Sequence, residues 1–105
     1  MVKILLNGCL GKMGQAVEAC INSREDVMIT CGVDIAEANK TYPVYNCFVD
    51  VAETPDVIID FSHPSTLSDM LAYAKANHIP CVICTTGYSA EQVEAIHDAS
   101  KEIAV

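Results

Sequence analysis

Short apolar runs alternate along this chain with longer segments of helical period. That alternation constrains the fold more than any other feature. Val2-Lys3-Ile4-Leu5-Leu6 is nearly continuous in apolar residues and is ended by Asn7-Gly8, the pattern of a strand buried on both faces. Met13, Val17, Cys20 and Ile21 then recur at i, i+4, i+7 and i+8, which predicts one face of a helix. Val27 to Val33 is a second strand, rich in β-branched residues and ending at Asp34. Residues 35–41 are polar and read as a loop, and Val44 to Val49 reads as a short third strand. After the turn Thr54-Pro55-Asp56, Val57-Ile58-Ile59 forms a buried strand ending at Asp60.

Pro64 suits the first position of a helix, where its missing N–H would have no partner anyway. Leu67, Met70, Leu71 and Ala74 hold the i, i+3, i+4, i+7 spacing of that helix, which ends at Asn77-His78-Ile79-Pro80. Cys81 to Cys84 is the next strand. Ser89 with Gln92 matches a capping box, and Val93, Ile96 and Ser100 mark the inner face of the helix it opens. Ile103-Ala104-Val105 reads as the start of one more strand. Met13, Met28 and Met70 fall on expected core faces or strands and read as filler. Strands alternating with helices imply right-handed βαβ units, a parallel sheet and the doubly wound α/β class in three layers, α-β-α. Such folds place their sites at the carboxyl ends of the strands, near a topological switch point.

Charge and composition narrow the function classes. Fourteen acidic residues against six basic ones give a net charge of −8, which opposes both nucleic acid and anionic membranes. Fifty-one per cent of the residues are hydrophobic, too many for a disordered chain. At 105 residues the chain has the length of one domain. No apolar run approaches the ~20 residues of a membrane span. Only three apolar residues stand between Met1-Val2-Lys3 and Asn7-Gly8, too few for a secretory signal. The six cysteines sit mostly inside apolar runs, where free thiols act as small hydrophobes, so reduced cysteines in a cytoplasmic protein are expected.

Gly8-Cys9-Leu10-Gly11-Lys12-Met13-Gly14 joins the first strand to the first helix with the spacing G-x-x-G-x-x-G, a variant of G-x-G-x-x-G. Gly8 can make the tight turn, Gly11 lets backbone approach a pyrophosphate, and Gly14 allows close helix packing. The N–H groups of the helix start would hold the phosphates, aided by the helix dipole. The competing reading is a plain tight turn. Asp34 stands 20 residues after Gly14, where an acid accepts hydrogen bonds from an adenosine ribose; otherwise it is a strand-end turn acid. Asp34 would repel a ribose 2′-phosphate and Ile35 cannot bind one. Lys12 and Lys40 are the nearby cations, so NADH is favoured over NADPH.

Two further segments, Asp60-Phe61-Ser62-His63-Pro64 and Thr85-Thr86-Gly87-Tyr88, complete a pattern with the glycine turn. In order and spacing the whole chain resembles the amino-terminal nucleotide-binding domain of the 4-hydroxy-tetrahydrodipicolinate (dihydrodipicolinate) reductases of lysine and diaminopimelate synthesis. The resemblance implies a Rossmann NAD(P)-binding fold over residues 1–105, incomplete at its carboxyl-terminal end. It implies that Gly8, Cys9, Leu10, Gly11, Lys12 and Met13 wrap the pyrophosphate of NADH or NADPH and that Asp34 holds the ribose. Phe61 and Ser62 would lie beside the nicotinamide and its ribose, and Cys84, Thr85 and Thr86 would meet the nicotinamide. Thr86 and Gly87 would adjoin the substrate. The family commonly has Gly where Cys84 stands, and often Arg where Ile35 stands. Its catalytic His-His pair, its Lys and its substrate-binding Gly-Thr pair belong to a later domain absent from this chain. No catalytic residue is therefore expected here, and the chain alone would bind cofactor without catalysis. Family homotetramers assemble mainly through that later domain, so a monomer or weak dimer is expected.

Other constellations carry less. Cys81-Val82-Ile83-Cys84 is a C-x-x-C within a strand, where residues three apart point to opposite faces, so neither a redox pair nor a metal pair fits. His63 either lines the nicotinamide site or simply precedes the helix. His78 and His97 read as surface or packing residues. Asp60 is an acid in principle, yet without a partner base it reads as structural. A non-enzymatic NAD(H)-sensing module and a CoA-binding Rossmann domain are the alternatives, and neither accounts for the Asp60–Pro64 and Thr85–Gly87 segments.

Overall fold

The computed structural model describes residues 2–34, 40–85 and 87–105. Its strands are β1 (Val2–Asn7), β2 (Val27–Val33), β3 (Val44–Tyr45), β4 (Val57–Asp60) and β5 (Cys81–Ile83); its helices are α1 (Lys12–Asn22), α2 (Leu67–Asn77) and α3 (Ala90–Ala99). Short 3₁₀ turns cover Phe48–Asp50 and Pro64–Thr66. All neighbouring strands pair in parallel, in the order β3-β2-β1-β4-β5. The chain runs outward from β1 through β2 to β3, then returns past β1 to build β4 and β5. The switch point of this doubly wound sheet thus lies between β1 and β4.

Side-chain alternation divides the core into two layers. Ile4, Leu6, Ile29 and Ile21 of α1 pack on one face of the sheet, with Cys9 and Tyr42. Leu5, Ile58 and Cys81 pack on the other, against Leu67, Met70, Leu71 and Ala74 of α2 and Ala99 of α3. The register between β1 and β2 shifts after Ile4, whose partner is Ile29, because Leu5 is opposite Cys31. The extra residue, Thr30, is a bulge that moves the remaining side chains of β2 to the opposite faces. Cys31 and Val33 therefore join the α2 layer, and Gly32 turns toward Cys9 and Tyr42.

Several local expectations need correction. Met13 is 56% exposed and Cys20 is also exposed; the inner face of α1 is Gly14, Val17 and Ile21. The contact of Gly14 with the turn beneath it sets that face, and Met13 lies one helical step of about 100° away. Met28 is exposed too, and only Met70 of the three methionines acts as core filler. The third strand stops at Tyr45, and Phe48 enters the core from a 3₁₀ turn instead. The segment from Pro64 begins as a 3₁₀ turn and becomes α-helix at Leu67. In α3 the capping box forms with both of its bonds, but Val93 and Ser100 face solvent. Gln92 donates to the Pro64 carbonyl, which rotates Gln92, Ile96 and Ala99 inward instead. Residues 103–105 are not a strand, although the Ala104 carbonyl accepts from the Cys81 N–H on the outer edge of β5. Most of the expected 35–41 loop, including Ile35, lies outside the described residues.

Candidate functional site

The turn after β1 is built on backbone that side chains would block. Gly8 has φ +81°, and a Cβ there would lie 2.5 Å from the Phe61 carbonyl oxygen. A Cβ on Gly14 would lie 2.2 Å from the Gly8 carbonyl oxygen, so α1 rests directly on the turn. Gly11 is different: it is exposed, and a Cβ there would meet only the Gly8 oxygen, at 3.4 Å. Its missing side chain keeps open the approach to the start of α1. Gly11 is also the N-cap of α1; no side chain caps that end and no acid stands in the first turn. The first N–H groups of α1 therefore present partial positive charge in a strongly acidic molecule.

Other members of the turn divide by where their side chains go. The Cys9 side chain is fully buried against Gly32 and Tyr42, so Cys9 can offer a ligand only its backbone. Burial first, then the charge of Asp34, pushes its thiol pKa up. Lys12 and Met13 are exposed at the start of α1. The Leu10 N–H donates to Asp34 Oδ2 at 3.0 Å, which ties the end of β2 to the glycine turn. Lys40 is engaged elsewhere: its Nζ lies 3.1 Å from Glu18 Oε2, while Tyr42 Oη donates to Glu18 Oε1 at 2.6 Å.

A cleft of about 400 Å³ opens at the carboxyl ends of the strands. That volume is within the range of small-ligand sites. Gly8, Gly11, Asp34, Phe61, Ser62 and His63 all border it, so the two expected motifs on either side of the switch point meet in one place. His63 has a local task as well, since its Nδ1 accepts from the Ser65 N–H and caps the 3₁₀ turn. Cys84 and Thr85 stand beside the cleft without bordering it. The Cys84 N–H donates to the Asp60 carbonyl, and the Thr85 hydroxyl faces Asp60 and Ser62. Gly87 adopts φ +87° on the surface near Pro64, and Thr86 lies outside the described residues.

Beneath the cleft sits a polar cluster. Asn7 and Asp60 end β1 and β4, side by side in register and both fully buried. The Asn7 amide donates to Asp60 Oδ1 at 3.0 Å and reaches Ser62 Oγ and Thr66 Oγ1. Tyr88 Oη donates to Asp60 Oδ2, and burial together with the Asp60 charge pushes the Tyr88 pKa up to about 12. Asn7 and Thr66 were not among the expected site residues. Strand parity carries the missing signal: Asn7 is two residues beyond Leu5 and Asp60 two beyond Ile58, so both polar ends share the inner face. Asn46, Cys47, Phe48 and Asp69 also border the cleft; they come from the link after β3, the start of the 3₁₀ turn and α2, and carry no local sequence signature.

A family model described as the amino-terminal part of dihydrodipicolinate reductase matches residues 2–105. The chain belongs to that family. The family's amino-terminal part is a Rossmann-type NAD(P)-binding domain. Among curated relatives, 4-hydroxy-tetrahydrodipicolinate reductase of Clostridium novyi is 39% identical over 106 residues, covering 100% of this chain and 42% of the relative. The enzyme of the same name from Clostridium tetani is also 39% identical, with the same coverage. The chain thus spans less than half the length of these reductases. Among solved structures, dipicolinate-bound dihydrodipicolinate reductase from Paenisporosarcina sp. TG-14 superposes with a TM-score of 0.79 at 23% identity, over 95% of this chain and 43% of that one. NADP-bound pyrroline carboxylate reductase from Plasmodium falciparum gives a TM-score of 0.65 at 16% identity, over 98% of this chain and 38% of that one. These two likenesses establish the shared fold.

Proposed function

We propose that residues 1–105 form the cofactor domain of an NAD(P)H-dependent 4-hydroxy-tetrahydrodipicolinate reductase, with the substrate and catalytic domain outside this chain. The observation that carries the reading is the convergence of the uncapped glycine turn, Asp34 and Phe61-Ser62 on one switch-point cleft in a chain of this family. The residues suit a dinucleotide: the open backbone at Gly11 admits the pyrophosphate, and the start of α1 offers it N–H donors without a competing acid. Gly8 to Met13 then wrap the pyrophosphate through backbone, with Cys9 contributing no side chain. Asp34 accepts from the adenosine ribose, while Phe61 and Ser62 flank the nicotinamide ribose. Cys84, Thr85 and Thr86 border the nicotinamide, and Thr86 and Gly87 adjoin the substrate. When bound, the reduced nicotinamide supplies the hydride that reduces the dehydrated substrate at its carbon–nitrogen double bond. This chain's residues hold and orient that ring and carry no acid–base step.

NADH is the favoured cofactor. Asp34 opposes a 2′-phosphate, Ile35 brings no charge, and Lys40 is already held by Glu18. Lys12 is the remaining cation near the turn. The full-length protein is proposed to be a cytoplasmic homotetramer and this chain alone a monomer or weak dimer. Among the described residues, no helix is long and apolar enough to cross a membrane.

Calorimetry of this chain with NADH, NADPH and CoA tests the reading. NADH is expected to bind, and more tightly than NADPH. Binding of CoA without NADH would instead support a CoA-binding Rossmann module.

A further inference from the structure

We propose that Asp60 is the positioning residue for the nicotinamide half of the site, an inference that rests on the dinucleotide reading above. The carboxylate is fully buried, yet among the described residues none of its hydrogen-bond donors carries a positive charge. Oδ1 accepts from Asn7 Nδ2 at 3.0 Å, from the Ser62 N–H at 3.1 Å and from Ser62 Oγ at 2.5 Å. Oδ2 accepts from Thr85 Oγ1 at 2.8 Å and from Tyr88 Oη at 3.1 Å. A single side chain thereby joins the end of β1, the loop after β4 and the loop after β5. The Ser62 N–H also donates to Thr85 Oγ1 at 2.9 Å, which closes a ring of hydrogen bonds between the two loops.

A buried carboxylate is costly to keep unless its lone pairs are satisfied, and satisfied ones hold their donors in fixed geometry. The donors fixed here lie on the β4–β5 side of the switch point. In a doubly wound sheet that half receives the second mononucleotide, whereas the glycine turn and Asp34 serve the adenosine half. Asp60 itself does not border the cleft. Its effect is therefore exerted through Ser62 and Thr85, and it should be selective for the nicotinamide end.

The test compares NADH with ADP, which lacks both the nicotinamide and its ribose, by titration calorimetry of the chain and its Asp60→Asn variant. Asparagine keeps the shape and removes the charge that orders the donors. We expect NADH affinity to fall by about tenfold or more in the variant, as for the loss of hydrogen bonds to a charged group, with ADP affinity nearly unchanged. Equal losses for both ligands, or an unchanged NADH affinity, would overturn the proposal. If the original chain binds neither ligand, the cofactor reading fails and takes this one with it. If circular dichroism shows Asp60→Asn unfolded, Tyr88→Phe decides the matter, since it deletes one donor outside the proposed cofactor contacts. A smaller NADH-selective loss supports the positioning role, and a loss shared by both ligands refutes it.

Discussion

Gly32 packs closely against Cys9 and Tyr42 on one face of the sheet. A Cβ there would lie 2.6 Å from Cys9 Sγ and 3.0 Å from a Tyr42 ring carbon. Gly32→Ala should therefore destabilise by about 1–3 kcal/mol, the usual range for overpacking, as read by urea denaturation. Cys9→Ala removes the nearest obstructing atom, so the double variant should lose less than the sum of the two single losses. A sum that is simply additive would show that the thiol is not what resists the methyl group. The same pair explains which residue roles could be read from sequence. The placement of the glycine turn and Asp34 at one cleft was legible because each directly follows a strand, β1 and β2, at the carboxyl end of the sheet. The burial of Cys9 was not, since it depends on a glycine 23 positions away on another strand.

At the scale of elements, α3 offers a clean measurement. Ser89 Oγ accepts from the Gln92 N–H and Gln92 Oε1 accepts from the Ser89 N–H, while Gln92 Nε2 donates to the Pro64 carbonyl. Ser89→Ala should cost about 1 kcal/mol, the usual value for a lost N-cap, seen as a lower urea midpoint. An unchanged midpoint would mean that Gln92 alone holds the helix start. The box itself was legible from two residues, as were β2 with both its ends and the buried stripe of α2. The rotation of α3 was not legible. Val93 and Ile96 fit the helical period as well as Ile96 and Ala99 do, and only the bond from Gln92 to a distant turn decides between them. Likewise, the bulge at Thr30 leaves no trace in an apolar run, whose faces all look alike.

For the whole molecule, the buried acids of the core set an alkaline limit. Burial pushes the Cys31 thiol from 9.0 to about 12 and the Cys81 thiol from 9.0 to about 11, helped by the charges of Glu53 and Asp60 respectively. Tyr88 rises from 10.0 to about 12 through burial and then the charge of Asp60. Groups raised in the folded state hold their full stabilising contribution below their unfolded pKa and lose it as pH climbs through the folded value. Stability should thus decline steadily from about pH 9 toward pH 12, as followed by urea melts across that range. A flat profile to pH 11 would contradict the buried, protonated thiols. The bulge in β2 has a consequence at this scale too. Because a strand has only two faces, it behaves like a message read in a two-letter frame, and Thr30 is the insertion that sets the frame. Everything downstream is in phase because of it: Gly32 meets Cys9, and Asp34 reaches the Leu10 N–H. Straightening the bulge, so that Thr30 paired with Leu5, would invert the end of β2 and carry Asp34 away from the glycine turn, taking the cleft apart although every residue that borders it remained.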